Sequence, residues 1–148
     1  MDLYNENKPQ TKVPLKLENK GEIIMNYEEK KKYLESYKFL DFHINALLEE
    51  KQMWYERALK IESIYPSAEC LRKVISLEEE IDYNIDCLVD LRRNIYRIIN
   101  KIEDETCKKI LILKYINFKT FEEIAYQIGY CEKQISRLHK KAISLLKI

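Results

Sequence analysis

Between Gly21 and Gly129 the chain has no glycine, and it has a single proline there, Pro66. An interior glycine costs a helix about 1 kcal/mol and an interior proline about 3 kcal/mol, so both mark helix ends. Sheet folds need such residues at nearly every reversal. A chain almost without them has little open to it except long helices, and an all-α fold is the expectation. Hydrophobic residues make up 46% of the 148, enough for a packed core.

Apolar residues then place the helices. From Tyr27 to about Glu62 they recur in steps of three and four at Tyr37, Leu40, Ile44, Leu47, Trp54, Ala58 and Ile61. Pro66 turns the chain and Ser67 suits a helix N-cap. A second long helix is expected from about Ala68 to Ile102, with Leu71, Val74, Ile81, Ile85, Leu88, Ile95, Ile99 and Ile102 inward. Two such helices joined by a short connection should fold back as an antiparallel coiled-coil hairpin over residues 25–104. A two-helix unit buries little, so pairing with a second copy, as a homodimer or larger oligomer, is expected.

The region before Met25 is polar and carries Pro9, Pro14 and Gly21. Residues 1–24 are expected to be disordered or a non-native extension. Lys20-Gly21-Glu22-Ile23-Ile24-Met25 can be encoded by a purine-rich run a short spacer upstream of ATG, as at a ribosome-binding site. Met25 is therefore the expected native start, which the intact mass of protein made from its own locus would test.

After Asp104 the pattern shortens. A short apolar helix is expected around Cys107, Ile110, Leu111 and Leu113, then a turn at Asn117–Thr120. Thr120 and Glu123 have capping-box spacing, in which hydroxyl and carboxylate each accept from the other residue's amide. The helix they open, Phe121 to Ile128, stops at Gly129, which supplies the left-handed conformation a helix end favours. A last helix is expected from Glu132 to about Leu146, with Ile135, Leu138, Ala142, Leu145 and Leu146 inward. Cys131 stands at its cap, where Ser or Thr is favoured. These spacings match a helix-turn-helix, making residues 105–148 a three-helix unit of that kind. Its outward face would carry Lys133, Gln134, Ser136, Arg137, Lys140 and Lys141. In such a motif the second helix enters the major groove of double-stranded DNA. Arg137 and Gln134 have the paired donors and acceptors to read base edges. Ser136, Lys133, Lys140 and Lys141 suit phosphate contacts, and Thr120 is counted with them among the DNA-binding residues.

Charge distribution agrees. Residues 106–148 hold nine Lys and Arg against three Asp and Glu, while the preceding part holds 17 against 22, within an overall charge of +1. The basic block is the one suited to a polyanion. Cys70, Cys87, Cys107 and Cys131 form no Cys-x-x-Cys pair and fit reduced thiols of a cytoplasmic protein. No metal or cofactor is expected. Without a phosphate-binding glycine loop or a nucleophile–base pairing, nothing points to an enzyme. No stretch has membrane-spanning length.

The run Leu113-Lys114-Tyr115-Ile116-Asn117-Phe118-Lys119-Thr120-Phe121-Glu122-Glu123-Ile124-Ala125, then Gly129-Tyr130, Gln134-Ile135 and Arg137-Leu138-His139, resembles region 4 of sigma-70-type factors. It is closer still to small phage and prophage proteins of Gram-positive bacteria with such a C-terminus: a domain family of unknown function and the ArpU- and RinA-like late transcription regulators. Weaker likeness begins at Lys32-Tyr33-Leu34 and includes Ile81-Asp82 and Leu88–Leu91. Two features depart from these relatives: Phe118 stands where they would have glycine, and the connection around Pro66 lacks a glycine-rich insert. Nothing resembles the promoter-melting region 2, so the likeness implies an accessory transcription regulator that also touches RNA polymerase. Two other readings compete. One is a module that binds polymerase or a sigma partner rather than DNA. The other is a small terminase-like packaging protein, although those usually carry the DNA-binding motif at the N-terminus.

Overall fold

The computed structural model describes residues 17–18, 22–60 and 68–148. Two long helices, α1 (Tyr27–Lys60) and α2 (Ala68–Ile99), are followed by α3 (Glu105–Leu111), a π-helical turn (Ile112–Ile116), α4 (Phe121–Ile128) and α5 (Glu132–Leu145). The all-α expectation holds for this body. Ahead of it, β1 (Leu17–Glu18) pairs antiparallel with β2 (Glu22–Ile23), a two-residue ladder inside the segment expected to be disordered. The rest of that expectation, and the turn at Pro66, lie outside the described residues.

α1 starts at a reciprocal cap. The Glu29 amide donates to Asn26 Oδ1, and the Asn26 amide donates to Glu29 Oε2, both at 2.9 Å. Two orphan amides of the first turn are thus satisfied. At 34 residues α1 is about 50 Å long. It lies antiparallel to α2: Leu47 packs with Leu77 and Ile81 far from the C-terminal unit, and Leu34 and Tyr37 pack with Ile95 and Ile99 near it. Lys51, which interrupts the apolar stripe of α1, pairs with Glu78 at 3.2 Å.

Three details differ from the periodicity. α2 ends at Ile99, and Ile102 packs from the following turn rather than from the helix. Ile85 is 40% exposed; the buried position of that turn belongs to Asn84, whose Nδ2 donates to the Glu80 carbonyl at 2.8 Å. Leu145 is 41% exposed, and Ile143 is buried instead. Each slip is one or two residues, the tolerance left when steps of three and four both fit a helix.

The core crosses the boundary drawn after Asp104. One cluster joins Leu34 and Tyr37 of α1, Ile95 and Ile99 of α2, Cys107 and Leu111 of α3, Tyr115 and Ile116 of the π-helical turn, and Ala142, Ile143 and Leu146 at the end of the chain. Backbone contacts tie the same parts together: the Met25 amide donates to the Ile148 carbonyl at 2.9 Å, and Lys30 Nζ to the Leu146 carbonyl at 2.6 Å. The base of the long helix pair and the small C-terminal helices are one packed body.

Candidate nucleic-acid interface

Asp104 starts the C-terminal unit. Its Oδ1 accepts from the amides of Thr106 (3.0 Å) and Cys107 (3.1 Å), capping α3. The Cys107 amide first, and then Lys141, hold its carboxyl below the usual carboxylate range. α3 runs into the π-helical turn, where the Asn117 amide reaches back to the Ile112 carbonyl. Phe118 closes that turn with φ 56°, the one non-glycine residue of positive φ among those described. This position is thus left-handed, at a cost of roughly 1–2 kcal/mol for a residue with a Cβ. Its ring recovers packing against Tyr37, with centroids 5.5 Å apart.

Thr120 caps α4: its hydroxyl accepts from the Glu123 amide at 3.2 Å. The returning half of the expected capping box is replaced by an ion pair, with Glu123 Oε2 3.8 Å from Lys119 Nζ. α4 ends at Gly129 (φ 86°, ψ 27°), and the amides of Gly129 and Tyr130 both donate to the Ala125 carbonyl. That is a Schellman-type closure, which requires the left-handed residue found there. α5 follows with Cys131 as its cap residue and no side-chain cap bond. Ile124 and Ala125 of α4 and Ile135 of α5 pack with Ile110 and Leu113, bordered by Phe121, Ile128 and Leu138. Small Ala125 lets the two helices cross closely.

This packing fixes which side of α5 faces out. Lys133, Gln134, Ser136, Arg137 and Lys140 line one shallow depression of about 630 Å³ together with Cys131. Three cations and two polar side chains share it, and among the described residues no carboxylate lines it. Of the seven residues singled out in the sequence, these five come together. The other two lie apart. Lys141 turns toward α3 and sits 3.4 Å from Asp104 Oδ2. Thr120 lines a different groove, beside α1.

Behind this face lies a pairing that the sequence does not announce. Tyr115 Oη is 2.6 Å from His139 Nε2, and the ring of Phe121 stands edge-on to His139 with centroids 5.0 Å apart. Burial, then the cations Lys114, Lys31 and Lys140, push the imidazole down to about 4. Burial foremost pushes the Tyr115 phenol up. At neutral pH the imidazole is therefore neutral, and it shares one buried hydrogen bond with the phenol, whose direction follows the tautomer. His139 positions α5 against the π-helical turn and does not belong to the exposed face. Among the described residues no group of three or more His, Cys, Asp or Glu side chains could hold a metal ion. No described helix is long and apolar enough to cross a membrane.

The body described from Tyr27 onward is thus all-helical and presents a basic face on α5. No family model matches it, and neither the curated proteins nor the solved structures give a match.

Proposed function

We propose that the chain is a sequence-specific DNA-binding transcriptional regulator of phage or prophage genes, built as a helical handle with a C-terminal helix-turn-helix. The observation that carries this reading is the outer face of α5: Lys133, Gln134, Ser136, Arg137 and Lys140 in one depression that no carboxylate among the described residues lines. The left-handed Gly129 turn that sets α5 across α4 supports it. In this reading α5 is the recognition helix. Arg137 and Gln134 read base edges, and Lys133, Lys140 and Ser136 hold phosphates. Lys141 tethers α5 to the cap of α3 and adds long-range attraction. The assignment to phage or prophage genes rests on the resemblance to region-4-like proteins alone.

Selection of bound duplexes from a random pool, followed by gel-shift titration, tests the reading. A defined site should emerge, and Arg137→Ala should cost about 1–3 kcal/mol on that site and relax its preference. No enriched site at moderate salt, or an Arg137→Ala protein that binds every sequence like wild type, overturns it. A second reading, a module that binds RNA polymerase or a sigma partner, is favoured by the exposed aromatic groove beside Thr120. Retention of a polymerase subunit by protein lacking duplex affinity would select it.

A further inference from the structure

α1 and the π-helical turn enclose a second surface feature, away from the depression on α5. It is an open groove of about 520 Å³, lined by Phe39 and Phe42 of α1, Phe118 of the left-handed turn, and the lysines Lys38, Lys114 and Lys119. Phe39 and Phe42 are 71% and 74% exposed. Three residues apart on a helix, they share one flank and form a continuous apolar patch rather than scattered surface residues. Phe118 holds a strained conformation that brings its ring to this wall. Such strain recurs at ligand-binding positions.

The charges say what kind of occupant fits. Against the three lysines the described residues of the lining contribute one carboxylate, Glu35. Lys114 is half-buried, its ammonium 4.5 Å from the centroid of the Phe121 ring. Burial first, and then repulsion from Lys38 and Lys31, hold that ammonium below the usual lysine range. Glu35 offsets part of that charge and Lys119 is shared with Glu123, so a carboxylate arriving here would meet a net positive rim whose Lys114 is partly shielded from water. Apolar walls with a basic rim are the complement of an amphipathic helix whose polar side is acidic.

We propose that this groove docks an acidic amphipathic helix of a protein partner, with apolar side chains seated among Phe39, Phe42 and Phe118 and carboxylates on Lys38, Lys114 and Lys119. The proposal is independent of DNA binding through α5. A nucleic-acid strand is a poorer fit, because Glu35 would face its backbone and the phenylalanines line a groove wall rather than an open platform.

The probe is a displayed library of short random peptides panned against the full-length chain. Recovered sequences should carry net negative charge and two apolar anchors three or four residues apart, and their affinity should fall with added salt. Phe39→Ser/Phe42→Ser should weaken binding by about tenfold or more, as loss of central aromatic anchors does. Both rings are already exposed, so the thermal midpoint should hold. Lys38→Glu, at an exposed position, is the second variant and should weaken the acidic peptides without touching the aromatic wall. Recovery of no binder, of neutral or basic peptides, or of peptides indifferent to both variants overturns the proposal. Two further outcomes overturn it in favour of another occupant. One is a labelled single-stranded oligonucleotide displaced by the Phe39→Ser/Phe42→Ser change; the other is a dimer that the same change dissociates.

Discussion

Acid should weaken the fold through one residue, and the size of the effect follows from the site. An imidazole titrates near 6.5 when unfolded, and burial with three nearby lysines pushes that of His139 down to about 4 in the folded chain. A depressed folded value means that the neutral form is the one the fold accommodates. The associated stability is intact above pH 6.5 and is lost progressively as pH falls toward 4, where the unfolded chain takes up a proton and the folded chain does not. At about 1.4 kcal/mol per pH unit the full loss approaches roughly 3 kcal/mol, of which about 2 kcal/mol is gone by pH 5. His139 is only 5% exposed, so solvent screening reduces this little. The assay is urea unfolding of wild type and His139→Gln at a series of pH values from 7.5 to 4.5. Glutamine keeps a hydrogen-bond partner for the Tyr115 hydroxyl but does not titrate. Wild type should lose about 2 kcal/mol more than the variant between pH 7.5 and pH 5. Parallel curves for the two proteins over that range would refute the reasoning, because the imidazole would then be equally free to protonate in both states.

Gly129→Ala meets nothing within 4 Å of the added Cβ, so only the left-handed backbone penalises it; a loss of about 1 kcal/mol in chemical denaturation is expected. Asp104→Ala removes the cap of α3 and the Lys141 pair together, and should lower the thermal midpoint at pH 7. Because the folded carboxyl titrates below its ordinary value, that deficit should shrink as pH falls through the acid range where Asp104 protonates. Lys133→Ala and Lys140→Ala should each weaken duplex binding about equally on all sequences and reduce the salt dependence by about one counterion, measured by titration at several salt concentrations.

The last two helices are readable in the sequence because their signals are local. Thr120 caps, Gly129 stops, and the residues between them have one helical period; α4 runs over Phe121–Ile128 as those signals require. The exposed face of α5 follows from the same period, which is why five of its residues converge. Other features leave no such clear local signal. Asn26 with Glu29, and Asp104 with the amides it caps, carry the ordinary cap signature, and polar surroundings mask it. The π-helical turn needs no particular residue type, so nothing marks it in advance. Tyr115 and His139 are 24 residues apart and meet only because the turn and α5 pack together. The aromatic groove is further still from local reach, since Phe39 and Phe42 look like stray surface residues until α1 docks against Phe118.

The core that joins Leu34 and Tyr37 to Ala142, Ile143 and Leu146 also constrains how the chain is made. Its two sides are separated by about a hundred positions, and ribosomes deliver roughly 5–20 residues each second. α1 therefore leaves the exit tunnel several seconds before its basal partners exist. In that interval Leu34, Ile95 and Ile99 can cover one another only through the antiparallel pair of long helices. That pair serves as a temporary shelter for a nucleus that α5 completes last, and a ribosome stalled before Lys140 should hold a nascent chain whose lower end is still open to proteases.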